Sequence, residues 1–99
     1  MSAFVLVHGS WHGAWCWKKI VRLLEEVGHT AVAVDLPGHG DDATPLPEIT
    51  LDAYARRISD TVAMQRPPVV LVGHSMGGGA ITQAAEHCAP AVGVLVYLA

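Results

Sequence analysis

The sequence predicts an α/β protein in which a parallel sheet of about four strands carries helices on both faces. Four short apolar segments alternate with three longer segments of helical periodicity along the 99 residues. Strands that alternate with helices pair in parallel and are joined by right-handed crossovers. The loops that follow such strands gather at one edge of the sheet, where ligands bind. A chain of this length accounts for one domain at most.

The first half of the chain supplies two strands and one helix. Residues 4–7 form a continuous apolar run, as expected for a strand that is buried on both faces. A helix is predicted over residues 14–27, because its apolar side chains recur on one face and its charged side chains lie elsewhere. Gly28 is a suitable C-cap for that helix, and residues 31–34 form the second buried strand.

The second half supplies two helices and two strands. Residues 36–49 are rich in proline and glycine and therefore predict a loop. Thr50 is the predicted N-cap of the next helix, which ends at Pro67-Pro68. The remaining predicted elements are a strand at 69–72, a helix at 75–87 and a strand at 92–98.

Composition excludes several classes of function. The net charge of −3 is modest and the six Lys and Arg are scattered, so neither a nucleic-acid partner nor an anionic membrane partner is expected. Residues 91–99, the longest apolar stretch, are too short to span a bilayer as a helix, and the N-terminus lacks the basic region of a signal peptide. Cys16 and Cys88 have no metal-like spacing, so we expect reduced packing residues in a cytoplasmic protein with no metal and no cofactor.

A serine motif lies between the third strand and the third helix. Residues 73–77 read Gly-His-Ser-Met-Gly, which is Gly-x-Ser-x-Gly in strand–turn–helix context. Such a turn exposes the serine hydroxyl as a nucleophile above the sheet. The alternative is a glycine-rich turn with an idle serine. The glycine spacing fits neither a dinucleotide-binding nor a phosphate-binding loop.

The residues around this serine have predicted roles of their own. Gly73 and Gly77 are expected where the strand and helix backbones come too close for a Cβ, and Gly78 and Gly79 are expected to extend that close approach. The backbone N–H of Met76 lies at the start of the helix, where it can face a developing oxyanion with the help of the helix dipole.

With three motifs in this order, the chain resembles the α/β-hydrolase superfamily over its whole length. The motifs are Phe-Val-Leu-Val-His-Gly-Ser-Trp-His-Gly-Ala-Trp at 4–15, Asp-Leu-Pro-Gly-His-Gly at 35–40 and Val-Gly-His-Ser-Met-Gly-Gly at 72–78. More narrowly, it is similar to the branch of plant methyl esterases, hydroxynitrile lyases and related bacterial carboxylesterases. The resemblance implies that residues 1–99 are the N-terminal, nucleophile-bearing part of a larger hydrolase domain, whose acid and histidine lie elsewhere.

The resemblance also implies the site residues. Ser75 is the expected nucleophile, and the N–H groups of Ser10 and Met76 are the expected oxyanion hole. His8 is expected to shape the loop after the first strand by hydrogen bonding. The residues expected to line the site are His8, Gly9, Trp11, His12 and His74.

Two positions separate the reactions of this branch. The hydroxynitrile lyases place a threonine after the first-strand histidine, where this chain has Gly9. Several of them carry a glutamate before the nucleophile, where this chain has His74. Both differences favour ester hydrolysis over cyanide elimination, which stays open as an alternative.

Two functional interpretations follow. In the first, the chain belongs to a carboxylic-ester hydrolase that acts on a small-molecule ester through a serine acyl-enzyme. Glu86 and His87 are the only acid and histidine after Ser75, and both lie at the far end of the third helix. We therefore expect little turnover from these 99 residues alone. In the second, the chain is a non-catalytic truncated or engineered half-domain that self-associates or binds a partner.

Association is predicted from the fourth strand. With the strand order second–first–third–fourth, this strand is an open edge without proline or charge. One helix cannot cover one face of four strands, so either Val92, Val94 and Val96 or the alternate pair Leu95 and Tyr97 lose their cover. A homo-oligomer or a complex with a complementary chain is expected.

Overall fold

Four strands and three α-helices alternate in the structure of the protein, a computed structural model that describes residues 1–99. The elements are β1 (Ala3–Val7), α1 (Lys18–Glu26), β2 (Thr30–Val34), α2 (Leu51–Ala63), β3 (Val69–His74), α3 (Met76–Cys88) and β4 (Val92–Leu98). The helix predicted from residue 14 begins as a 3-10 turn over Ala14–Trp17, and its α-helical part starts only at Lys18. Thr50 caps α2 as expected, since its hydroxyl accepts the N–H of Ala53 at 3.0 Å.

All the strands are parallel and lie in the order β2–β1–β3–β4. This confirms the predicted fold class and strand order. Because β1 and β3 are neighbours, Val7 at the end of β1 lies opposite Gly73 near the end of β3. The loop after β1 and the serine turn after β3 therefore meet at the same edge of the sheet.

The two faces of the sheet are covered unequally. The face under α2 and α3 holds a core of 14 buried residues, among them Leu71, Ile58 and Ile81. The face under α1 holds a cluster of only three, namely Leu6, Trp17 and Val72. No residue of α1 itself is buried. The site is therefore supported mainly from the α2–α3 side.

The exposed side of β4 differs in one residue from the expected set. A register shift opposite Val69 and Val70 leaves Gly93 without a partner in β3, so Val92 packs with Leu95 against the larger core. The prediction that Val92 shares the open face was therefore wrong, because a bulge reverses the alternation of side chains. Val94, Val96 and Leu98 lie on the α1 face, where Val94 is 53% exposed.

None of the three helices combines the length and the apolar composition that a bilayer span requires.

Candidate active site

Ser75 occupies the junction between β3 and α3 and is exposed. Its backbone has φ 54° and ψ −119°, a conformation that residues with a side chain rarely adopt. Its N–H donates to the carbonyl of Leu98 at 2.9 Å, and its carbonyl accepts the N–H of Gly78 at 2.9 Å. A strained backbone of this kind costs about 1–3 kcal/mol and persists where the surrounding structure holds it.

Two glycines permit this turn by their lack of a side chain. A Cβ on Gly77 would lie 2.7 Å from the carbonyl oxygens of Val7 and His8. A Cβ on Gly73 would lie 2.6 Å from the carbonyl oxygen of Gly77. The expected close approach of strand and helix is therefore present at both positions.

The next two glycines differ from each other. A Cβ on Gly78 would lie 3.1 Å from Cδ1 of Tyr97, which is tight but involves a side chain. A Cβ on Gly79 would meet nothing within 4 Å. The prediction that Gly79 extends the close approach was therefore wrong, since by that point the helix has turned the residue toward solvent.

The loop after β1 packs directly against the serine turn. A Cβ on Gly9 would lie 3.0 Å from the carbonyl oxygen of His74 and 3.1 Å from Cβ of Ser75. Ser10 follows and is exposed, and its N–H has no acceptor within the protein. Met76 is the first residue of α3, where an N–H has no intrahelical partner. Ser10 thus follows the glycine that lies against the turn, and Met76 begins the helix that leaves the turn.

His8 is fully buried, and both of its ring nitrogens are engaged. Nδ1 lies 2.8 Å from the carbonyl oxygen of Gly9, and Nε2 accepts the N–H of Leu36 at 3.0 Å. Burial, which disfavours the charged imidazolium, lowers the pKa of His8 below its ordinary value. Neither nitrogen is free to take a proton from a substrate or from Ser75.

His12 and His74 lie next to each other beside the turn, with ring centroids 6.1 Å apart. His12 donates from Nδ1 to the carbonyl of Ser10 at 2.8 Å and stacks on Trp15. The two histidines border an open cavity of about 230 Å³. Its other lining residues are Cys16, Trp17, Ile20 and Leu98. Trp11 lies outside this cavity with φ 67° and is 93% exposed.

Asp35 joins the loops behind the site, a role that its place in the sequence did not predict. Its Oδ1 accepts the N–H of Ala14 at 2.7 Å, and its carbonyl accepts Nη1 of Arg57 at 2.7 Å. A Cβ on Gly40 would overlap the Asp35 carboxylate. The only signal in the sequence was an acid that follows a buried strand and precedes a glycine turn.

Asp42, which lies further from the serine turn, also binds backbone and side-chain groups of these loops. Its carboxylate accepts hydrogen bonds from Thr44 and from the N–H of Gly38, and it pairs with Arg57 at 2.9 Å. These hydrogen bonds, chiefly the one from the Thr44 hydroxyl, hold the pKa of Asp42 well below its usual range. The carboxylate orders its own loop and is fully engaged there.

The architecture and the site define a class: a parallel α/β protein that presents a serine on a strained turn between a strand and a helix. The model of the alpha/beta hydrolase family matches residues 4–99. The chain belongs to this family.

Several relatives carry names that describe an activity. The chain is 46% identical to Methylesterase 1 of Arabidopsis thaliana over 99 residues, which cover 96% of this chain and 38% of that protein. It is 43% identical to norfluorocurarine synthase 1 of a Strychnos species over 99 residues, covering 97% of this chain and 37% of the relative. The crystal structure of polyneuridine aldehyde esterase superposes with a TM-score of 0.90 at 39% identity, covering 98% of this chain and 39% of that one.

These matches show the general class of enzyme from which the chain descends. Esterases and methylesterases are among the relatives, so the chain is of carboxylic-ester hydrolase lineage. The chain spans less than half the length of the relatives that it matches.

Proposed function

We propose that this chain is the nucleophile-bearing part of a serine hydrolase that cleaves small-molecule carboxylic esters. The observation that carries the proposal is the backbone of Ser75, exposed at φ 54° between β3 and α3. The N–H groups of Ser10 and Met76 flank this serine and are the proposed oxyanion hole. The esterases and methylesterases among the relatives support the same class of substrate.

The reaction follows from these positions. Oγ of Ser75 attacks the ester carbonyl carbon, and the carbonyl oxygen becomes an oxyanion that accepts the N–H groups of Ser10 and Met76. The intermediate expels the alcohol and leaves an acyl-enzyme, which water hydrolyses to the acid and free Ser75. Gly9 and His74 stand where the hydroxynitrile lyases carry other residues, which supports hydrolysis rather than cyanide elimination.

The proton from Ser75 needs a base. Glu86 and His87 are the only acid and histidine that follow Ser75, and a rise of 1.5 Å per helical residue carries them about 17 Å away. His8 is occupied through both nitrogens. We propose that the general base and its acid come from polypeptide outside these 99 residues.

Covalent labelling tests the nucleophile without requiring turnover. At alkaline pH, where hydroxide takes the Ser75 proton in place of the absent base, a fluorophosphonate in excess should add once to the protein, and mass spectrometry of peptides should place the adduct on Ser75. Ser75→Ala should remove the adduct, whereas the control Ser59→Ala, on α2, should keep it. An adduct on other serines at an equal rate would contradict the proposal.

Turnover of an activated aryl ester tests the missing base. Without triad partners, only about 10³–10⁴-fold catalysis over water is expected from an oxyanion hole and binding. Steady-state turnover by residues 1–99 should therefore not exceed this residual level, and Ser75→Ala should change it little. Efficient turnover that Ser75→Ala abolishes would show that the base lies within the chain.

A second candidate function is self-association, favoured by the uncovered side of β4. Val94 and Leu98 are exposed there at 53% and 44%, and β4 is an edge strand. Burial of about 400 Å² of apolar surface contributes about 10 kcal/mol before entropy costs. We propose that two copies pair through β4 about a two-fold axis, the simplest closed arrangement.

Light scattering at micromolar concentration tests this association. The protein should be dimeric or larger, and Val94→Lys should shift it toward monomer because a charge on an edge strand opposes pairing. The control Met64→Lys, at the exposed C-terminal end of α2, should leave the assembly unchanged. A dispersed wild-type monomer would contradict the proposal.

A further inference from the structure

We propose that His8 is the positioning residue of the oxyanion hole. Its neutral imidazole, protonated on Nδ1, holds the Gly9 carbonyl and thereby turns the N–H of Ser10 toward the oxyanion that forms at Ser75. The inference rests on the proposed function for the identity of the hole, but its geometry is testable separately.

The hydrogen-bond partners of His8 determine its tautomer. Leu36 offers a backbone N–H, which can only donate, so Nε2 at 3.0 Å must be the acceptor and carries no proton. The proton of the neutral ring is then on Nδ1, which donates to the carbonyl oxygen of Gly9 at 2.8 Å. The tautomer is thus set by a residue 28 positions away in the sequence.

The peptide group between Gly9 and Ser10 transmits this contact. The only cis peptide bond of the chain joins Pro67 and Pro68, so this one is trans and planar. In a trans peptide the C=O and N–H point in opposite directions. The side that carries the Gly9 carbonyl receives Nδ1 of His8 and also the N–H of His12 at 3.3 Å. The N–H of Ser10 therefore points away from His8.

The free N–H of Ser10 follows directly on a residue that lies against the serine turn. It has no acceptor within the protein, and the preceding residue is so close to the turn that a Cβ on Gly9 would lie 3.1 Å from Cβ of Ser75. A flexible loop would have to order this N–H during the reaction. The two bonds to the Gly9 carbonyl order it beforehand, which is what electrostatic stabilisation of an oxyanion requires.

Nuclear magnetic resonance measures the tautomer directly. In a long-range ¹⁵N–¹H spectrum, Nδ1 of His8 should have the shift of a protonated nitrogen and Nε2 that of an unprotonated one. The opposite assignment would overturn the inference. This measurement does not depend on whether Ser75 reacts.

Two substitutions separate the donor from the bulk of the ring. His8→Asn keeps an N–H donor at the δ position, and His8→Leu removes it. Residual dipolar couplings should report an unchanged Ser10 N–H direction in His8→Asn and a changed direction in His8→Leu. The control His39→Leu removes the neighbouring imidazole, 5.0 Å away, without touching Gly9 and should leave the coupling unchanged.

The labelling rate of Ser75 supplies the functional readout. Loss of one oxyanion donor typically costs about 100-fold or more in rate, so His8→Leu should slow fluorophosphonate addition by about that factor and His8→Asn should restore most of it. If His8→Leu does not fold, the tautomer of His8 in the wild type and the Ser10 N–H direction in His8→Asn still test the inference. A Ser10 N–H that keeps its direction in folded His8→Leu would overturn the inference. Absent labelling with unchanged couplings would instead count against the proposed function.

Discussion

The turn at Ser75 and the loop after β1 meet at one edge of the sheet, but they are held by different forces. Backbone contacts hold the turn: Gly77 lies against the carbonyls of Val7 and His8 with no room for a methyl group. A hydrogen bond from the buried imidazole of His8 to the carbonyl of Gly9 holds the loop. The turn therefore depends on the volume of the side chains around it, and the loop depends on the protonation state of His8.

Because of this difference, the turn and the loop should respond to different perturbations. An added methyl group should disturb the turn, because the interior cannot expand to admit it. A change of pH should leave such packing untouched. The loop should respond to the charge of His8, since protonation of Nε2 removes the acceptor of the Leu36 N–H. Substitutions and titrations can therefore separate the two.

The largest effect is expected from alanine at Gly77. Its Cβ would lie 2.7 Å from two carbonyl oxygens of the neighbouring strand and loop, so α3 or β1 must shift. Overpacking of this kind typically costs about 1–3 kcal/mol. The free energy of unfolding from urea titration should fall by that amount, and labelling of Ser75 should slow because its turn moves.

Gly79 is the matched control for this substitution, since it lies two residues along the same helix. Its Cβ would meet nothing within 4 Å. Replacing a helical glycine by alanine should stabilise the protein by about 0.5–1 kcal/mol. Equal stabilisation by Gly77→Ala and Gly79→Ala would show that helix propensity, and not the close approach, decides this region.

Most of the fold was predictable because its causes are local or topological. Alternating strands and helices with right-handed crossovers leave few arrangements, and the predicted strand order is the observed one. The start of α1 was not predictable in the same way. Residues Ala14–Trp17 form a 3-10 turn whose first N–H is bonded to the carboxylate of Asp35, and that contact spans 21 positions. The bulge at Gly93 likewise depends on pairing with another strand.

In the candidate site too, features with local causes were predictable from the sequence, and features that depend on distant residues were not. The position of Ser75 follows from the glycines around it, which are visible within five residues of sequence. The fixed tautomer of His8 depends on Leu36, which the fold brings to it from the loop after β2. Asp35 was overlooked for the same reason, since its partners lie in two other elements.

The smallest expected effect is the pH dependence of stability that His8 contributes. Burial lowers the pKa of His8 below its ordinary value of 6.5, against a smaller opposing contribution from its hydrogen bond to Gly9. The neighbouring His39 and His12 act in the same direction as burial, and Asp35 acts against it. Below pH 6.5 the unfolded chain binds a proton at this residue that the folded protein does not bind.

The sign of the change follows from this difference. The stabilisation is complete above pH 6.5, declines as the pH falls below that value, and is exhausted once the pH passes the lower pKa of the folded state. Urea titrations at several pH values from 7.5 to 5 should show the free energy of unfolding falling more steeply in the wild type than in His8→Asn. Gly79→Ala should keep the wild-type slope, because the added methyl group meets nothing within 4 Å. Equal slopes in the wild type and His8→Asn would mean that the buried imidazole accepts a proton in the folded state as readily as in the unfolded one. The loop after β1 would then not depend on the protonation state of His8, and it would not differ in this respect from the turn at Ser75, which is held by packing.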